Sequence, residues 1–114
     1  MTAKYLWLLG AFLGLPALLW AMHGHWLDHY RSANGSLCCG RGDCVTVNAR
    51  LVEERGTRWL AEVNGTFVEL PKGSVHLSQE PIAYWCYQGQ APCQPPQLEI
   101  SAVCGRCLFV AVGG

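Results

Sequence analysis

Seven of the 114 residues are cysteine, and their spacing sets out the chemistry open to this chain. Cys38 and Cys39 are adjacent, Cys44 follows, Cys86 and Cys93 stand apart, and Cys104-Gly-Arg-Cys107 is the single C-x-x-C. Thiols so placed can do three things. They can close structural disulfides, which matter most where the core is small. A C-x-x-C can exchange disulfides, provided that a helix N-terminus lowers one thiol pKa. A zinc knuckle can form, with Cys104 and Cys107 on a hairpin and Cys38, Cys39 or Cys44 completing four sulfurs. Leu98 to Val103 and Leu108 to Val112 both read as extended, and no helix is expected in the seven residues after Cys107, so Gly105-Arg106 reads as a hairpin tip. That favours disulfides over an oxidoreductase built on Cys104 and Cys107. A bond between Cys38 and Cys39 would need a strained ring, so these two are expected to face different partners. The odd count leaves one cysteine over, and about 105 connectivities are then open.

The histidines form H-x-H-x-x-x-H through His23, His25 and His29. On an α-helix His25 and His29 would share a face, a spacing able to grip Zn or Cu, with Asp28 as a carboxylate neighbour. The competing reading makes the histidines, Trp26 and Tyr30 residues of a membrane-water boundary or of a mature N-terminus. His76 stands alone in an extended segment and reads as half-buried and structural. The cofactor expectation is none, with Zn or Cu as the alternative.

Tyr84, Trp85 and Tyr87 flank Cys86 and offer a stacking platform for a sugar or peptide, although aromatics beside a cysteine also pack over disulfides. Arg41-Gly42-Asp43 is an adhesion tripeptide in form, but three residues match by chance easily, and Gly40 and Gly42 are ordinary loop residues beside crowded cysteines. Asn34-Gly-Ser36 and Asn64-Gly-Thr66 match the glycosylation acceptor pattern and read better as turns. No nucleophile-base order, nucleophile elbow or phosphate-binding glycine loop occurs, so enzymatic activity has no support in the sequence. Eight basic residues balance eight acidic ones without a basic stripe, which argues against nucleic acid as a partner.

The elements that must position these residues begin with an export signal. Lys4 precedes an uncharged run from Tyr5 to Met22. Two readings stand: a signal peptide cleaved after Ala21, with Pro16 as the helix break, or an uncleaved anchor close to the roughly 20 residues that a span needs. Either places the remainder outside the cytoplasm, in the periplasm or secreted, or facing the periplasm from the membrane. The expected division is 1–21 as signal or anchor, 22–37 as a His/aromatic linker, and 38–114 as a cysteine-rich domain.

From Val45 the pattern becomes β. Val45 to Val47 alternates, Arg58 to Val63 and Thr66 to Leu70 flank Asn64-Gly65, a strong hairpin signal, and Leu51 to Glu54 adds a third strand. Val75 to Leu77, Ile82 to Tyr87 and Leu98 to Val103 are further extended segments. Prolines exclude regular structure from Gly89 to Gln97. The expected fold is mainly β: a small disulfide-stabilised antiparallel meander preceded by an apolar N-terminal helix.

Taken together, several features resemble a group of short exported proteobacterial proteins of unknown function. They are the opening His23, His25, Trp26, His29 and Tyr30, the Cys38-Cys39 pair with Asp43-Cys44, the W…G…E-L-P hairpin, Cys86 between aromatics, and the terminal R-C-L-F-V-A-V-G-G. Gly89 to Cys104 lies outside this resemblance, which implies a compartment and a fold type but no activity. The functional expectation is an extracytoplasmic binding or structural module with an envelope or protein partner, in contact with the membrane through residues 5–22 if these are retained. The alternatives are an exported metal-binding protein and, third, the thiol-disulfide oxidoreductase.

Overall fold

The computed structural model describes residues 25–39 and 43–112, and within them the chain is mainly β. The segments expected as a signal helix or anchor, 1–21 and 5–22, lie outside the described residues, as do Arg41 and Gly42. Among the described residues no helix is long and apolar enough to cross a membrane.

The meander is present. Strands β1 (Cys44–Val47), β2 (Ala49–Arg55), β3 (Arg58–Val63) and β4 (Thr66–Pro71) follow one another, and β2-β3-β4 form an antiparallel sheet. Asn64 and Gly65 take φ of 48° and 85°, the left-handed pair that a two-residue hairpin demands. The period-2 pattern divides this sheet cleanly. Ala61, Val63, Val68 and Leu70 are buried on one face, while the other carries the cross-strand pair Arg50–Glu62 at 2.8 Å.

A second sheet departs from the expected single meander. Strands β5 (Val75–Leu77), β6 (Ala83–Tyr87) and β7 (Gly105–Val110) join β1 in the order β1-β6-β7-β5, with β5 parallel to β7. The chain changes sheets at Asn48, where the Asn48 carbonyl accepts the Asn64 N–H at 2.7 Å and the Asn48 N–H donates to Asn64 Oδ1 at 2.9 Å. The segment Leu98 to Val103 is not a strand. Leu98 has φ of 41°, its N–H reaches back to the Gln94 carbonyl, and the Cys93–Cys104 disulfide closes the proline-bearing loop around it. The hairpin tip expected at Gly105-Arg106 is instead the start of β7, which pairs with β6.

Strand β7 is buried on both faces, as its unbroken Cys-Leu-Phe-Val run requires. Leu108 and Val110 join Trp85 and the meander residues in one core. Cys107 and Phe109 face a second core with Leu27, Cys38, Cys39 and Cys86. Residues 25–37, within the stretch read as a linker, supply much of this second layer: the 3-10 helix His25–His29 lays Leu27 and Trp26 against the sheet.

Candidate functional site

The second core gathers most of the residues whose types could carry chemistry. Register places Cys44 opposite Cys86 and Cys86 opposite Cys107, so three cysteines occupy one rung across β1, β6 and β7. Cys44 bonds Cys86, whereas Cys107 bonds Cys38 from the segment ahead of β1. The third disulfide is Cys93–Cys104. Cys39, buried in the same cluster, is the cysteine outside these three bonds.

Cys104 and Cys107 therefore serve different disulfides. Disulfide exchange at a C-x-x-C pairs the two sulfurs of the motif at a helix N-terminus, whereas here each sulfur bonds elsewhere and the motif leads into strand β7. The four-sulfur knuckle fails for the same reason, because Cys104 is tied to Cys93 in the distal loop.

Around the Cys38–Cys107 disulfide stands an aromatic shell centred on Phe109. Trp26 meets Phe109 edge-on at 5.3 Å and Tyr30 does so at 5.2 Å, while Trp26 also meets Tyr84 at 5.9 Å. Such T-shaped contacts add roughly 0.5–1.5 kcal/mol each beyond area burial. His76, on β5 directly opposite Phe109, lies 5.3 Å from that ring and 4.9 Å from Tyr30. Its Nε2–H donates to the Arg31 carbonyl at 2.8 Å. The Cys38 and Cys107 sulfurs and a ring nitrogen of His76 lie within 4.8 Å of one another.

The aromatic platform expected from Tyr84, Trp85 and Tyr87 is not a surface. Trp85 is fully buried and fills the inter-sheet core, while Tyr87 packs half-buried against it. Tyr84 faces the second core, and its hydroxyl donates to Glu80. Desolvation first, and that hydrogen bond second, push the Tyr84 phenol up to about 12.

The metal pair expected from His25 and His29 depends on α-helical spacing. The helix here is 3-10, with three residues per turn, so backbone positions 25 and 29 are rotated by roughly 120° about its axis. His23 and the side chain of His25 lie outside the described residues. Asp43 is not presented for adhesion: its carboxylate pairs with Arg106 at 3.4 Å, and Arg106 also donates to the carbonyl of Leu37.

No signal in the sequence links His76 to Cys38 and Cys107; the parallel β5–β7 pairing brings His76 near Cys107, and the disulfide brings Cys38 there from the segment ahead of β1. Nor does the sequence announce the open groove of about 570 Å³ at the corner between the sheets, lined by residues including Thr46, Asn48, Asn64, Pro81, Ile82 and Ala111. Among the described residues no charged side chain lines it. Comparisons with protein-family models, curated proteins and solved structures return no match to this chain.

Proposed function

We propose that this chain is a non-enzymatic extracytoplasmic module that binds a protein or another component of the cell envelope. The observation that carries this reading is the disulfide set. Three bonds join the segment ahead of β1 to the last strand, the edge strand β1 to β6, and the two ends of the distal loop. Bonds of this kind persist in oxidising compartments and are rare in the cytosol. The charge pattern of residues 1–22 supports the same side of the membrane, with Lys4 retained inside and the apolar run leading the body out. The resemblance to short exported proteobacterial proteins supports it too.

The binding surface this reading favours is the groove at Asn48 and Ile82. Its uncharged lining suits a neutral peptide or glycan segment, held by amide groups of Asn48 and Asn64 and by the exposed Ile82 side chain. The fused reporter test is direct. A reporter active only outside the cytoplasm, joined after Gly114, is expected to be active, and deleting residues 1–21 is expected to abolish that activity. The mass of the exported chain then distinguishes release after Ala21 from a retained anchor. Activity of a cytoplasm-only reporter would overturn the compartment.

A further inference from the structure

We propose that Cys38, Cys107 and His76 form a zinc site in the reduced protein, and that closing the Cys38–Cys107 disulfide abolishes it. The juxtaposition is the first ground. Three separate elements converge: the segment ahead of β1 brings Cys38, β7 brings Cys107, and β5 brings His76, with their ligand atoms within 4.8 Å of one another. Zinc bonds sulfur at about 2.3 Å and imidazole nitrogen at about 2.0 Å, which sets ligand atoms roughly 3.5–3.8 Å apart around a tetrahedral ion. The observed separations, 4.8 Å or less, leave about an ångström for the ligands to close around the ion. The Cα atoms of Cys38 and Cys107 are 5.4 Å apart, so side-chain rotation alone can part the two sulfurs once their bond is opened.

The orientation of His76 is a second and independent ground. Donation of Nε2–H to the Arg31 carbonyl fixes the tautomer and leaves Nδ1 as the lone-pair nitrogen. A ligating histidine almost always has its second nitrogen held by a carbonyl or carboxylate in this manner. Contacts with Tyr30 and Phe109 fix the plane of the ring. The charge balance selects the ion. Two thiolates and a neutral imidazole around Zn(II) sum to zero, which a buried apolar cluster tolerates; a monovalent ion would leave a net negative charge there. Cys38 and Cys107 are fully buried and His76 is half-buried, so the imidazole side is the one nearest solvent.

The redox step balances with a dithiol reductant. Two electrons and two protons pass from the dithiol to the Cys38–Cys107 bond, the reductant becomes a disulfide, and two protein thiols form. Zn(II) then displaces their two protons. In reverse, a disulfide oxidant takes two electrons from the thiolates, leaves as two thiolates of its own, and the ion is released. This inference stands apart from the groove and does not depend on it.

The test uses the full chain, reduced anaerobically with a phosphine. Co(II) is expected to give thiolate charge-transfer absorption with tetrahedral bands, displaced by one equivalent of Zn(II), while the oxidised chain gives neither. Zn(II) is expected to slow alkylation of Cys38 and Cys107 by about tenfold or more, read by peptide mass, and to leave Cys93 and Cys104 unprotected. His76→Ala is expected to weaken Zn(II) about tenfold or more, whereas His25→Ala/His29→Ala leaves it unchanged. Equal protection of all cysteines, no protection of Cys38 and Cys107, or unchanged affinity in His76→Ala would overturn the site. The alkylation map is made on the unaltered sequence, so it stands even if His76→Ala does not fold.

Discussion

Cys86 and Cys107 are register partners on neighbouring strands, yet each sends its sulfur elsewhere, Cys86 to Cys44 and Cys107 to Cys38. The Cys38–Cys107 bond thereby ties β7 to the N-terminal layer, whereas Cys44–Cys86 reinforces strands already paired, as a Cys86–Cys107 bond would also have done. The sequence separations closed are 69 for Cys38–Cys107 and 11 for Cys93–Cys104. By loop-closure entropy the longer loop contributes about 1.6 kcal/mol more. Denaturant unfolding of Cys38→Ala/Cys107→Ala and Cys93→Ala/Cys104→Ala should show the first pair the less stable by that order. An equal loss in the two would mean that native-state strain or residual denatured structure sets the values.

Gly105 lies directly against the Trp85 ring. A Cβ built there would stand 2.4 Å from Cη2 of Trp85, whose ring has no room to retreat. Gly105→Ala is expected to cost about 1–3 kcal/mol through overpacking, measured as a lowered Tm. In a double-mutant cycle with Trp85→Phe the two losses should be clearly non-additive, because the smaller ring vacates the space that the methyl needs. Simple additivity would show that the close approach does not decide the cost.

Trp26 bridges the 3-10 helix and the sheet through Phe109 and Tyr84. Trp26→Ala is expected to destabilise the domain by about 3 kcal/mol, as losing a packed aromatic does elsewhere. A change within about 0.5 kcal/mol, the range of an ordinary surface substitution, would remove residues 25–30 from the folded body.

The Tyr84 phenol titrates near 12 in the folded chain against an ordinary value of 10.0. The folded state thus holds its proton more tightly than the unfolded state. Whatever stability this lends is fully present below pH 10 and is lost as pH rises from 10 towards 12. Ultraviolet titration of the folded protein should show one late-ionising phenol that is missing in Tyr84→Phe. A Tyr84→Phe curve that keeps the late component would assign it to another tyrosine.

The sequence alone determined whatever rests on neighbours along the chain. Asn64-Gly65 can only turn tightly, the alternation on either side can only make a half-buried hairpin, and seven cysteines in so short a chain imply disulfides. The unbroken apolar run at Cys107 to Val110 is itself a signal of burial on two faces, although the pattern alone makes Leu108 to Val112 one half of a hairpin with Leu98 to Val103. Tertiary structure decided the rest. Which sulfurs bond depends on β6 and β7 meeting β1 and the segment ahead of it, contacts between residues 42 and 69 positions apart that no local pattern encodes. The strand expected at 98–103 was lost to a disulfide and prolines, a constraint imposed from outside the segment. Trp26 and Tyr30 became core because a sheet face needed covering, and His76 reached Cys38 and Cys107 because β5 runs parallel to β7, a pairing in which each strand offers an edge but neither names its partner.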